Sequence, residues 1–196
     1  MAIKVVIFDW GDVLGFYDLS RFDSFLIANN CNTSTSDFFR KNKPNFDNGT
    51  LSEEQFWTKL KNYLHYKGTW KELATTNQNN LIINFNNLHI IKKIRKTKKT
   101  ALLSNMDPTS VAKIKKEIKL EDYFDKYYFS YEIKQQKMNK TVLKKIISEF
   151  NVKPDEVLFI DDFKANIVKA TDFGFKTIHY KNEKQLEKEL NKKILN

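Results

Sequence analysis

Five short apolar runs set the strongest limit on how this chain can fold. They are Val5–Phe8, Thr100–Ser104, Tyr127–Ser130, Val157–Asp161 and Lys176–Tyr180. Runs that are apolar at consecutive positions, not alternate ones, suit strands covered on both faces, as in a parallel sheet. Helical patterns lie between them. Leu88, Ile91 and Ile94 recur at helical spacing, as do Val111, Ile114 and Ile118 after Pro108, a residue suited to a first helical turn. Val142, Leu143, Ile146, Ile147 and Phe150 make another apolar face, and Ile167, Ala170 and Phe173 a short one that Gly174 ends. Alternation of strand and helix from residue 86 onward predicts an α/β fold, a doubly wound, mainly parallel, Rossmann-like sheet.

Residues 16–85 break that rhythm. They hold helix-like stretches at Leu19–Ala28, Ser36–Arg40, Ser52–Tyr66 and Thr69–Leu81, and no convincing strand. Ser52 with Gln55 reads as a capping box, just after a turn at Asn48-Gly49. The expected organisation is an α/β core of residues 1–15 and 86–196, with a helical cap of residues 16–85 inserted after the first strand. The Asn-rich stretch NQNNLIINFNNLH would span the return to the core. Phe38, Phe39, Phe56, Trp57 and Trp70 are read as the interior of the cap.

Charge invites a different reading and composition removes it. The net charge is +10, yet arginine occurs only at Arg21, Arg40 and Arg95, so lysine supplies 31 of the 34 basic residues. Base readout and bidentate phosphate recognition lean on arginine, and the lysines are scattered, so no nucleic-acid partner is expected. No apolar run approaches the roughly 20 residues that span a bilayer, and MAIKVVIFDWGD lacks the features of a signal peptide. The lone Cys31 fits a reducing compartment. A cytoplasmic protein with no membrane partner is the expectation. Oligomeric state is not readable.

In an open α/β sheet, ligands bind at the carboxyl ends of the strands. The first run delivers Asp9, the second Ser104-Asn105 and the fourth Asp161-Asp162, while Lys137 follows the third after a short loop. Carboxylates gathered at one edge repel unless a cation joins them, and hard oxygen ligands of this kind suit Mg2+. Ser104 and Lys137 can hold phosphate oxygens. A carboxylate nucleophile, a metal and a phosphate clamp together describe phosphoryl transfer. His65, His89 and His179 have no metal-ligand spacing, and His179, in an apolar run, reads as a satisfied core residue.

These motifs resemble the haloacid dehalogenase-like (HAD) hydrolase superfamily, and more narrowly its sugar-phosphatase-like members with a helical cap after the first strand. The resemblance rests on FDWGDVL (Phe8–Leu14), LLSN (Leu102–Asn105), Lys137 within SYEIKQQK, FIDDFKANI (Phe159–Ile167) and the cap segment DNGTLSEEQFW (Asp47–Trp57). It implies that Asp9 attacks phosphorus and forms an aspartyl-phosphate. It implies Mg2+ ligands from Asp9, the Gly11 carbonyl and Asp162, with Asp161 close by through a water or Lys137. Ser104 and the Asn105 backbone would hold the transferring phosphate, and Asn166 would brace the acidic loop. The substrate implied is a small phosphorylated metabolite such as a sugar phosphate.

Two departures bear on turnover. Phosphatases of this superfamily typically carry an aspartate two residues after the nucleophile, as general acid and base; here the residue is Gly11. Asp12 is either a substitute acid or a capping residue for the cap linker, and the structural role is preferred. Lys137-Met138-Asn139-Lys140 also lacks the prolines that relatives carry after the lysine, which leaves that loop less fixed. The resulting expectation is a slow Mg2+-dependent phosphatase. The alternatives are a catalytically impaired binding protein and, against the paired Asp161-Asp162, a metal-independent dehalogenase.

Overall fold

The computed structural model describes residues 2–31 and 33–195. In chain order its strands and α-helices are β1 (Val5–Phe8), β2 (Gly15–Tyr17), α1 (Leu19–Ala28), α2 (Ser36–Asp47), α3 (Glu53–Tyr63), α4 (Trp70–Asn79), β3 (Leu81–Ile83), α5 (Phe85–Ile94), β4 (Lys99–Ser104), α6 (Pro108–Glu117), β5 (Lys126–Phe129), α7 (Ser130–Ile133), α8 (Lys140–Phe150), β6 (Val157–Asp161), α9 (Lys164–Phe173), β7 (Lys176–His179) and α10 (Glu183–Leu190). Five strands form one parallel sheet in the order β5-β4-β1-β6-β7. The α/β sheet expected from the consecutive apolar runs is therefore the fold. Chain order leaves β1 in opposite directions, so a crevice opens above its carboxyl end, where such folds bind ligands.

The period-2 geometry of a strand explains why β1 is apolar at every position. Val6 and Phe8 pack into one buried cluster with Leu102, Leu158, Ile160 and the faces of α5, α6 and α10. Val5 and Ile7 pack into a second with Ala101, Leu103, Phe159 and side chains of α8. All four β1 residues are essentially solvent-free, and each contributes about 1.5–3 kcal/mol by burial.

The cap has a third cluster of its own, in which Phe22, Leu26, Phe38, Phe46, Phe56, Trp57, Leu60 and Leu73 come together. Phe46 and Phe56 stack with centroids 4.3 Å apart. Helix α3 starts at the Ser52 capping box, with Gln55 closing it in both directions. Helix α2 runs on to Asp47 through Pro44, beyond the Ser36–Arg40 stretch legible in the sequence.

One expectation fails at both ends of the cap. Residues 16–85 are not strand-free: β2 and β3 pair antiparallel, Gly15 with Ile83 and Tyr17 with Leu81. Three residues are too few to show a period. The outgoing and returning linkers run side by side, and their backbone groups satisfy one another. Gly15 is needed for this close approach. A Cβ there would come within 2.7 Å of the Trp10 indole nitrogen and 2.9 Å of the Ile82 carbonyl oxygen. No helix among the described residues is long and apolar enough to cross a membrane.

Candidate active site

The sheet places its carboxyl-end residues before any side-chain chemistry begins. Asp9 N–H donates to the Ile160 carbonyl at 2.9 Å and Tyr180 N–H to that of Asp161 at 2.9 Å, so the ladder extends one residue past each strand. The backbone behind both carboxylates is thereby held. Immediately after Asp9 the chain folds around the Trp10 carbonyl, which accepts from Val13, Leu14 and Gly15. The buried Asn87 side chain reaches from α5 to donate to the Val13 carbonyl at 2.7 Å and pins this turn.

Lys137 lies between two of the carboxylates. Its Nζ is 2.7 Å from Asp9 Oδ2 and 2.8 Å from Asp161 Oδ2, with only 6% of its side chain exposed. Burial opposes its charge, but Asp9 and Asp161 outweigh that and hold its pKa above the ordinary lysine range. Burial also raises the Asp9 carboxyl, and Asp161 adds to the rise, while Lys137 pulls against it. Asp9 Oδ1 accepts from Trp10 N–H at 2.7 Å, which fixes the carboxylate plane from the other side.

The Lys137 loop is anchored without proline. Asn105 Oδ1 accepts from the Lys137 backbone N–H at 2.7 Å. Lys134 takes a left-handed conformation, and Asn139 caps α8 through Thr141 N–H. The family resemblance implies a backbone role for Asn105 at the phosphate; its side chain has this further role in holding Lys137. Ser104, at the end of β4, lines the same cavity as Asp9 and Lys137.

Asp161 and Asp162 differ in their surroundings. Asp161 is fully buried, accepting from Phe163 N–H at 2.8 Å and from the Asn166 amide at 3.1 Å to each oxygen. The Asp162 carboxylate has no hydrogen-bond partner among the described residues. Burial, then the charges of Asp9, Asp161 and Asp12, push it up to about 6. Its backbone carbonyl meets His179 Nε2 at 2.8 Å, so His179 holds the acidic loop from the edge of β7.

Carboxylate oxygens of Asp9, Asp161 and Asp162 lie within 4.8 Å of one another. Three carboxylates with one ammonium leave this quartet at a formal −2. A small divalent cation with oxygen ligands matches both the donors and the charge. Asp161 is committed to other partners, whereas Asp162 is free to bind. The Gly11 carbonyl accepts from Val13 N–H at 2.7 Å and keeps a second lone pair.

Asp12 is exposed, with φ +52°, a conformation that aspartate tolerates better than most residues. Its carboxylate makes no hydrogen bond among the described residues, so nothing there caps the linker. It lines the active-site cavity instead.

That cavity measures about 340 Å³, within the range that holds small metabolites. Its far wall was not foreseen. Lys43 and Asp47 on α2, Asp107 and Ser110 on the core, and Tyr17 on β2 all face into it. Lys43 bonds Asp47 and lies 3.6 Å from Asp107 Oδ2. Ser110 Oγ links Asp107 Oδ2 and the Tyr17 hydroxyl, each at 2.6 Å. Burial and Asp107 push Tyr17 up to about 12, which keeps its proton on. The sequence signals for it are Asp107 before Pro108, a helix-start pair, and Asp47 at the head of the DNGTLSEEQFW segment. A larger cavity of about 750 Å³, lined by Phe22, Leu26 and Ile27, lies within the cap and meets this one at Tyr17, Leu19 and Lys43.

Comparison with known proteins gives matches of three kinds. Residues 85–170 match the family model for haloacid dehalogenase-like hydrolases. Over 203 residues the chain is 27% identical to a D-ribitol-5-phosphate phosphatase of Bacteroides thetaiotaomicron, covering 96% of this chain and 97% of that one. A HAD family enzyme from the same organism, crystallised in complex with magnesium and inorganic phosphate, superposes with a TM-score of 0.81 at 24% identity, covering 92% and 95% of the two chains. A predicted HAD-like family hydrolase from Porphyromonas gingivalis gives 0.80 at 25% identity, covering 98% of each.

Proposed function

We propose that this chain is a haloacid dehalogenase-like hydrolase, a Mg2+-dependent phosphatase that cleaves a small phosphorylated sugar or polyol through an aspartyl-phosphate. Hydrolysis of a phosphoric monoester follows from the family and from its phosphatase relative. The observation that carries the finer reading is the buried Asp9–Lys137–Asp161 bridge opening on a cavity that also holds Ser104.

Asp9, fixed by Trp10 N–H and Lys137, presents a carboxylate oxygen to phosphorus. Its attack forms the P–O bond of the aspartyl-phosphate as the bond to the leaving alkoxide breaks. Ser104, the Asn105 backbone and Lys137 hold the phosphoryl oxygens as charge redistributes over them. Asp9, Asp162 and the Gly11 carbonyl would hold Mg2+, which supplies charge neutralisation at the phosphoryl group. Asn166 and His179 keep Asp161 and the Asp162 backbone in place. Asp12 supplies the proton that the leaving alkoxide takes up. Water then attacks the phosphorus and gives a proton to the Asp12 carboxylate, and the bond from phosphorus to the Asp9 oxygen breaks, releasing phosphate and regenerating Asp9 and Asp12.

The division into a core (1–15, 86–196) and a cap (16–85) is part of the same reading, supported by the separate aromatic interior of the cap. We place the activity in the cytoplasm, where Cys31, the only cysteine, remains a thiol. A second reading, a protein that binds phosphate esters with little turnover, is favoured by Gly11, which offers no acid. Phosphate release from a panel of phosphorylated metabolites, with Mg2+ and with EDTA, separates the two. Mg2+-dependent release that Asp9→Asn abolishes supports the phosphatase; binding of the panel without release by the folded protein supports the other.

A further inference from the structure

The far wall of the active-site cavity has no part in the phosphoryl chemistry, yet it is built from charged and hydroxyl groups that are costly to bury. Lys43 and Asp47 stand one turn apart on α2 and face the same way. Lys43 Nζ donates to Asp47 Oδ1 and lies 3.6 Å from Asp107 Oδ2. Asp107 is held in turn: Oδ1 caps α6 through Thr109 and Ser110 N–H, and Oδ2 accepts from Ser110 Oγ. The Asp47 carbonyl accepts from Ser130 Oγ, and the Pro44 carbonyl accepts from Gln136 beside Lys137. The carboxyl end of α2 is thus docked on the loops that form the phosphate site. Its side chains are set at a fixed place opposite Asp9.

Two properties of this wall define what it can face. A lysine offers three donors, and the hydrogen bond to Asp47 uses one. Asp47 Oδ2 accepts no hydrogen bond among the described residues. An available donor therefore stands beside an available acceptor, the complement of neighbouring hydroxyls. The charge is equally informative. One ammonium with two carboxylates leaves the trio at a formal −1. A carboxylate or second phosphate on the leaving group would meet net repulsion there, and a neutral polyol would not.

We propose that Lys43 and Asp47 are specificity-determining residues that select a neutral, polyhydroxylated leaving group and reject an acidic one. This rests on the phosphatase reading above and narrows its substrate to phosphomonoesters of uncharged polyols or sugars.

The test compares three probes in the presence of Mg2+: a pentitol phosphate, the phosphorylated sugar acid of the same carbon length, and phenyl phosphate, which has no hydroxyl to read. The native protein is expected to prefer the pentitol phosphate over the acid. Lys43→Met is expected to lower the ratio of kcat/KM for pentitol phosphate over phenyl phosphate by about 10- to 100-fold, the loss of a hydrogen bond to a charged group, mainly through KM. Lys43→Arg should recover part of that ratio. Asp47→Asn, which keeps the shape of the side chain, should raise the acid relative to the pentitol phosphate, and it carries the test alone if Lys43→Met loses the fold. Equal falls on pentitol and phenyl phosphate would mean a merely structural role and overturn the proposal, as would an equal preference of the native protein for acid and polyol. Release from none of the three, phenyl phosphate included, would instead remove the phosphatase reading and this inference with it.

Discussion

Gly11→Asp should accelerate this protein, and the structure allows the size of the effect to be argued. A Cβ added at Gly11 would lie 3.8 Å from Asp9 Oδ2, an ordinary contact, with nothing else closer. Gly11 is not among the residues with positive φ, so a side chain brings no backbone strain there. The new carboxyl would enter the cavity beside Asp9. Its charged neighbours Asp9, Asp12 and Asp162 would favour the protonated form, and a carboxyl that keeps its proton is a competent acid. General acid help is worth about 10²–10⁴-fold. Because Asp12 would, on the proposed mechanism, supply part of it, the lower end is expected, about 100-fold in kcat on an alkyl phosphate. The assay is the rate ratio of an alkyl phosphate over p-nitrophenyl phosphate, whose leaving group needs no proton. An acid must raise the first far more than the second. A folded Gly11→Asp variant with both rates unchanged, or both raised equally, would refute the assignment of position 11 as the missing acid.

Lys137→Met removes the ammonium between Asp9 and Asp161 and leaves both charges buried without it, which should cost about 3–5 kcal/mol in denaturant unfolding as well as activity; unchanged stability would contradict the bridge. Asp162 stands at about 6 in the folded protein against about 4 in the unfolded chain. The folded state therefore keeps a proton that the unfolded state has already released, and the associated stability is full below about pH 4 and lost as pH rises through about 6. Metal-free Asp162→Asn should accordingly gain in Tm over the native protein at pH 7 and gain little at pH 4. Mg2+ needs the ionised carboxylate, so it should raise the Tm of the native protein more at pH 7 than at pH 5 and leave Asp162→Asn unmoved at either pH.

The parts of this molecule legible in the sequence are those governed by local rules. Consecutive apolar residues announced the buried parallel strands, and Ser52-Gln55, Pro108 and Gly174 announced helix ends, because caps and turns act within a few residues. Asp9, Ser104 and Asp161 were legible because a parallel sheet aligns its carboxyl ends whatever the loops do. The loss of proline after Lys137 was misleading as a sign of looseness, since Asn105, 32 residues away in sequence, takes over the anchoring. Asn87 on Val13 and His179 on Asp162 likewise depend on long-range packing that no spacing encodes. The β2–β3 pair was hidden because its strands are three residues long and 66 residues apart at their starts. Lys43 was one lysine among 31; only the docking of α2 against the core distinguishes it.

The central claim is that Asp9 becomes covalently phosphorylated. Without an acid–base group at position 11, the second step should be slow enough for the intermediate to accumulate. Protein mixed with substrate and Mg2+, quenched in acid within the first turnovers and reduced with borohydride, should yield a peptide in which Asp9 has become homoserine, as only an acyl phosphate at that carboxyl allows. Turnover that leaves Asp9 intact at every quench time, while another residue or none is reduced, would contradict the account.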